Sequence, residues 1–345
     1  MSLDTVNTPG DLAGRVVWYP AGPGRAQPAL RNERPDLVPR VAAGRSASSL
    51  PGLVSALLSM CGQAHHLANG LAIDAARGLR RDLAPRERTL LHIETVREHL
   101  RRIWLDWPRL WPGPADASLA QLQELHGCPA LQGSLNDMLQ PVGLQPADDT
   151  FWDTTRGWLE AHVFDMPVAL WLGRWQAEGE AWLATWAKQA QTWPAQWLHA
   201  IQADAQALQA PFQTWWSVPD AWPALSAQLQ AQPGLGRQPS WPQAAAETGP
   251  WCRLHQREAL AARTGAPQSA WWRLGGRLAD LARLACPAHA PHAHNDLGPC
   301  GPDTLQSGQW CGPAHTGIAW VEMARGALLH WVQLDSAHPQ ARVLA

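Results

Sequence analysis

Twenty-two of the 345 residues are tryptophan, against one tyrosine (Tyr19) and three phenylalanines. That count constrains the fold more than any other feature, because each indole hides on the order of 200 Å² from water when buried and needs a dry layer to enter. The spacing points to helices. Trp171, Trp182 and Trp193 are eleven residues apart, and so are Trp175, Trp186 and Trp197. Eleven residues are close to three helical turns, so each set stays on nearly one face of a helix. Pro194 breaks or restarts that helix after Trp193. Such a ladder could be a stacking surface for an aromatic ligand or partner, or the core of a helical hairpin. Bulky rings at helical spacing favour the core.

Apolar residues make up 46% of the chain, enough for a sizeable core, and charged residues only 16%. Net charge is −2, with Lys188 the single lysine, so the basic excess that neutralises phosphates is missing and nucleic-acid binding is disfavoured. No apolar run approaches the ~20 residues of a membrane span. The best candidate, 317–334, carries Glu322, Arg325, His330 and Gln333. The first residues, MSLDTVNTPGDLAG, lack the basic start and apolar stretch of a signal peptide. These features describe a soluble, cytoplasmic protein without membrane insertion, whose six cysteines (61, 128, 252, 286, 300 and 311) are thiols.

Periodicity organises residues 1–345 as a single domain, mainly α with a minor β component. Residues 1–49 form an extended N-terminal segment with one strand at Val16–Tyr19. Residues 50–232 form a helical core. Its first helix opens at Ser49, with Pro51 in the first turn and a stripe of Leu53, Leu57, Met60, Ala64, Leu67, Leu71 and Ala75. A second opens near Pro85, buries Ile93, Val96, Leu100, Ile103 and Trp107, and stops at Pro108. Residues 233–317 are loop-rich with one helix near 271–285, and 318–345 form an apolar C-terminal segment that contains Arg325.

Three groups could carry chemistry. Cys61 and His65 share a helical face and offer a soft thiolate and an imidazole to a transition metal. If the helix instead starts near Gly62, its N-terminal partial charge favours a thiolate at Cys61; a buried core Cys/His pair is the bland alternative. Glu322 and Arg325 interrupt an apolar run, either as a structural pair at a sheet edge or with the guanidinium over an anion-binding cavity. Third, Cys311-Gly-Pro-Ala-His315 repeats the Cys-Gly-x-Ala-His pattern of Cys61–His65, with Cys300 and His289, His292 and His294 upstream. This is a zinc or nickel site or a loop with solvated histidines.

The first two groups together produce a resemblance. Cys61, His65, Leu67 and Ala68 fit C-x-x-x-H-x-L-A, the second half of the N-terminal cysteine motif of [NiFe]-hydrogenase large subunits. The run Glu322-Met-Ala-Arg325-Gly-Ala-Leu-Leu-His330-Trp331 is similar to that family's E-A-P-R-G-x-L-x-H-W segment, whose arginine sits beside the diatomic ligands of the active-site iron. The departures matter as much. The earlier cysteine of the first motif is Leu58 here, no cysteine follows Cys311, and the R-I-E-G-H motif is absent, Arg15-Val-Val-Trp18 being its nearest counterpart.

This pattern resembles the HupK/HoxV type of hydrogenase assembly protein, as do residues 89–107 and 157–171. The resemblance implies a large-subunit-like fold and a non-enzymatic scaffold that transiently holds the Fe(CN)2(CO) unit during large-subunit maturation. It makes Cys61 the iron ligand, with His65, Glu322 and Arg325 around the cargo, and no nickel. The implied partners are hydrogenase accessory proteins and the apo large subunit. The alternative is a metal-free chaperone or adaptor for the same partners, and residual hydrogen chemistry ranks last.

Overall fold

The computed structural model describes residues 14–19, 29–35, 37–110, 119–132, 149–209, 213–214, 221–232, 235–236, 246–257, 269–286 and 304–344. Among them helix dominates, and strand is confined to a small antiparallel sheet and two short pairs. The strand expected at the N-terminus is β1 (Val16–Tyr19), which pairs antiparallel with β2 (Ala29–Asn32). A short helix α1 (Leu37–Ala42) follows.

The helix expected from Ser49 is two helices. α2 (Leu50–Leu57) has Pro51 in its first turn, as anticipated. The backbone then leaves helical geometry at Leu58 (φ −116°, ψ 49°), makes one 3₁₀ turn over Ser59–Cys61, and restarts as α3 (Gly62–Ala76). Gly62 explains the fold-back: a Cβ there would lie 2.9 Å from Ser55 Oγ and 3.1 Å from the Ser55 carbonyl oxygen. Only a bare Cα lets α3 begin this close to α2. Leu57 and Met60, read as core, are instead exposed beside the break.

α4 (Pro85–Arg101) is the central helix, buried on nearly every side from Leu90 to Leu100. All five residues of its expected stripe are buried. It does not stop at Pro108. A wide π turn (Arg102–Asp106) carries the chain into α5 (Trp107–Leu110), a local loosening that accommodates a ring lacking an amide hydrogen. α6 (Leu119–His126) and α7 (Asp149–Leu159) follow.

The tryptophan ladder spans three helices, α8 (Val168–Glu178), α9 (Glu180–Gln189) and α10 (Trp193–Ala207), with one Trp pair on each. The eleven-residue repeat is therefore a helix plus its turn, not one continuous face. Gly179 makes the first break with φ 60° and ψ −127°, and Pro194 lies in the first turn of α10. Trp171 and Trp186 pack edge to face with centroids 5.6 Å apart, and the Trp186 indole N–H donates to the Phe164 carbonyl at 2.7 Å. Five of the six rings are buried and Trp193 partly so: the ladder is core.

A parallel pair β3 (Gln213–Thr214) and β4 (Ala246–Glu247) brackets α11 (Ala221–Ala231). α12 (Pro250–Arg257) and α13 (Ala270–Ala285) then complete the helical layer, α13 close to the 271–285 expected. Strands β5 (Ser307–Cys311), β6 (Thr316–Met323) and β7 (Gly326–Gln333) form an antiparallel sheet in that order. The loop-rich region thus ends in a strand rather than continuing to 317. α3 lies directly on this sheet: a Cβ on Gly317 would be 2.1 Å from the Ala72 carbonyl oxygen. Among the described residues no helix is long and apolar enough to cross a membrane.

Candidate functional site

Strand parity decides which residues of the sheet meet α3. Gly317 touches that helix, so Ala319, Val321 and Met323 face the same way, as do their register partners His330, Leu328 and Gly326. His330 accordingly meets His65, with Nε2 and Nδ1 2.9 Å apart and the rings edge to face. Asn69, one turn further along α3, brings its Nδ2 within 3.4 Å of His330 Nδ1.

Arg325 sits in the two-residue turn between β6 and β7. The next residue has φ 128° and its Cβ would lie 2.3 Å from Thr248 Oγ1, so glycine is required at 326. From this turn Arg325 Nη2 donates to Glu98 Oε2 at 2.8 Å and approaches the Met60 sulfur at 3.8 Å. Glu98 is buried on α4 and also accepts from Arg101 Nη1 at 3.1 Å. Arg325 itself is 44% exposed, not buried as its apolar neighbours suggested, because a hairpin tip projects from the sheet edge. Its Nε and Nη1 are not engaged with any described residue.

Cys61 is the residue that precedes the first turn of α3, so it does not share a helical face with His65 as it would in one long helix. Nor does the helix end favour a thiolate. Glu94 of α4 accepts from the Gln63 and Ala64 amides at 2.8 and 2.9 Å, occupying the positive terminus with its own carboxylate. Burial pushes the Cys61 thiol up to about 11; Glu94 and Glu98 add to the rise, and the positive charge of Arg325 opposes it. Burial also raises the Glu94 carboxyl to about 7, against the pull of the two amides. His65 is lowered to about 4 by burial and by Arg325, and His330 to about 3 by burial and by His65. The resting site is a protonated thiol, two neutral imidazoles and one guanidinium whose field reaches both Cys61 and His65.

Of the residues singled out from sequence, Cys61, His65 and Arg325 fall in one region: Arg325 reaches Met60, next to Cys61, and its charge acts on both Cys61 and His65. Glu322 does not join them. It pairs with Ala327 on the opposite face of the sheet, accepts from the Gln306 amide at 2.8 Å and lies 4.0 Å from Arg253. The three-residue step from Glu322 to Arg325 crosses the turn, so neighbours in sequence part company. Cys311 and His315 lie at the β5–β6 hairpin, where Ala314 and His315 both take left-handed φ (50° and 54°). Cys311 Sγ is 3.8 Å from the Leu79 carbonyl oxygen. Cys300, His289, His292 and His294 fall outside the described residues. Among those described, no three His, Cys, Asp or Glu side chains are grouped to cage a metal; the five described cysteines are free thiols.

Sequence reasoning passed over Glu94, Glu98 and Asn69, and named Met60 only as core and His330 only as part of the hydrogenase-like run. Two signals were there to read. Glu94 and Glu98 recur at i, i+4 inside an apolar stripe, which puts two carboxylates on one face of the helix, and Asn69 stands at i+4 from His65.

No protein-family model matches the sequence. The chain is similar to the hydrogenase expression/formation protein HoxV of Cupriavidus necator, 34% identical over 346 aligned positions that take in 96% of this chain and 82% of the relative. On similarity of that extent the chain belongs to the HoxV family of hydrogenase expression/formation proteins.

Proposed function

We propose that this maturation protein transiently holds the Fe(CN)2(CO) unit destined for a [NiFe]-hydrogenase large subunit, as a non-enzymatic scaffold with a large-subunit-like fold. The observation that carries the reading is the convergence of Cys61 and His65 from one end of the chain with Arg325 and His330 from the other.

Cys61 supplies one soft sulfur donor, suited to low-spin iron. Its proton is held tightly at rest, so docking of the metal must release it, which couples loading to proton loss. Arg325 keeps Nη2 on Glu98 and presents Nε and Nη1 for charge-assisted hydrogen bonds to cyanide nitrogen. The neutral imidazole of His65 orients the sulfur or the cargo. Leu58, where large subunits carry another cysteine, withholds a second thiolate, and Glu322 takes no part because the sheet separates it from the cargo. A single protein thiolate makes for a loose hold, which suits a carrier that receives its load from accessory proteins and passes it to the apo large subunit.

Infrared spectra of the full chain purified with its accessory partners test this. Cyanide and carbonyl stretches are expected in the wild type and not in Cys61→Ala, with thermal unfolding checking that the variant folds. Bands that persist unchanged in folded Cys61→Ala overturn the assignment. Intact hydrogenase maturation in that variant, with no bands in the wild type, identifies a metal-free adaptor instead.

A further inference from the structure

The turn that carries Arg325 is held from behind by a second set of buried charges. Asp280 on α13 is fully buried and takes Arg253 in a two-pronged pair, Nε to Oδ1 at 2.9 Å and Nη2 to Oδ2 at 2.5 Å. His99 Nε2 also lies 2.7 Å from Oδ2. A carboxylate only accepts, so Nε2 carries the ring proton and Nδ1 is left as an acceptor. Arg277, one turn before Asp280, donates Nη1 to that Nδ1 at 3.1 Å, and an arginine can do nothing else. The tautomer of His99 is thus fixed from both sides.

The same Nη1 of Arg277 donates to the Ala324 carbonyl oxygen at 3.1 Å, while Arg253 approaches the Met323 carbonyl at 3.4 Å. Both carbonyls that precede Arg325 therefore face a guanidinium. His99 directly follows Glu98, so α4 grips the turn twice: at the Arg325 head through Glu98, and at the backbone through His99 and Arg277.

Arg277 is poorly placed to serve stability alone. No carboxylate of the described residues lies within ion-pair distance of it. Burial first, then the charge of Arg102 and to a lesser extent that of Arg253, depress its pKa to about 10, against the opposing pull of Asp280 and Asp106. A half-buried cation with no direct ion pair adds little to the fold, and an apolar side chain of similar volume would be tolerated there. What the arginine adds is one donor that spans His99 and the turn.

We propose that Arg277 is a positioning residue for the cargo site, fixing through the Ala324 carbonyl the direction in which Arg325 leaves the hairpin. The assignment rests on reading Arg325 as the group that meets the cyanide-bearing cargo. Asp280 and His99 act one step back, by fixing Arg277.

The test compares Arg277→Met with Arg273→Met, which removes an arginine of the same helix that pairs with Glu247 instead. Phenylglyoxal labelling of the cargo-free full chain, resolved by peptide mass spectrometry, reads the freedom of the Arg325 guanidinium. Losing one backbone hydrogen bond at the turn should raise Arg325 labelling roughly fivefold in Arg277→Met, with no change in Arg273→Met and cooperative thermal unfolding in both. In cargo-loaded protein the cyanide bands should shift in Arg277→Met only. Arg277→Lys, which keeps the charge but loses the planar fork, is a second variant should the first not fold, and should raise labelling likewise. Unchanged labelling in folded Arg277 variants, or an equal rise in Arg273→Met, overturns the proposal. Absence of cyanide bands in every sample, wild type included, sinks the cargo reading while the labelling result still decides whether Arg277 positions Arg325.

Discussion

Replacing Glu94 by Gln should change how stability depends on pH, and by a calculable amount. The carboxyl is buried at the start of α3 and its pKa stands at about 7, against 4.5 for an ordinary glutamate. A raised carboxylate pKa means that the unfolded chain ionises first as pH climbs, so the folded state loses ground between those two values. The full effect is on the order of 3 kcal/mol, at 1.36 kcal/mol per pKa unit. Between about pH 5 and about pH 8 the loss comes to roughly 2.5 kcal/mol. Glu94→Gln removes the ionisation. It also turns an NH2 toward one of the Gln63 and Ala64 amides, an unfavourable meeting of donors that costs about 1–3 kcal/mol at every pH. The variant should therefore be the weaker protein in acid and recover relative to wild type as pH rises. Urea unfolding of both proteins across that pH range measures the difference directly. A constant offset between the two curves would refute the argument, since it would mean that Glu94 carries the same charge folded and unfolded. The same substitution should speed alkylation of Cys61, because the negative charge of Glu94 helps hold that thiol at about 11.

Three further outcomes follow from the geometry. His65, His92 and His99 are pulled down to about 4 and His330 to about 3, burial being the first cause each time; the stability these histidines contribute should be complete above about pH 6.5 and fall away as pH drops toward 4, with acid unfolding by tryptophan fluorescence as the readout. His92→Phe, which can still stack on Trp152, should move that acid midpoint to lower pH. Gly317→Ala forces a Cβ against the Ala72 carbonyl, and prying α3 off the sheet should cost about 2 kcal/mol or more in urea unfolding.

Periodicity is legible where burial alone decides the residue. The α4 stripe from Ile93 to Trp107 reads correctly because every one of its members is core. The ladder from Trp171 to Trp197 reads correctly as buried helix, but its continuity does not, since Gly179 and the Thr192-Trp-Pro start signal reset the helix after each pair. The break at Leu58–Cys61 leaves no periodic trace at all. It depends on the bare Cα of Gly62 against Ser55, a contact between two helices that neither segment encodes alone. For the site, C-x-x-x-H and the Arg-Gly run locate Cys61, His65 and Arg325, whereas Glu322 is misplaced because an unrecognised turn reverses the strand after it. The thiolate expected at a helix N-terminus fails for tertiary reasons: burial raises the Cys61 thiol, and Glu94, 31 residues away from Gln63, takes the amides of that terminus for its own carboxylate.

His65 and His330 touch across 265 positions of chain. A ribosome making this protein has therefore exposed the thiol and the first imidazole well before the strand that carries His330 has left the tunnel. On the proposed reading, the site that would hold the cargo is complete only once the β6–β7 hairpin has emerged, so an unfinished polypeptide is a poor receiver for it.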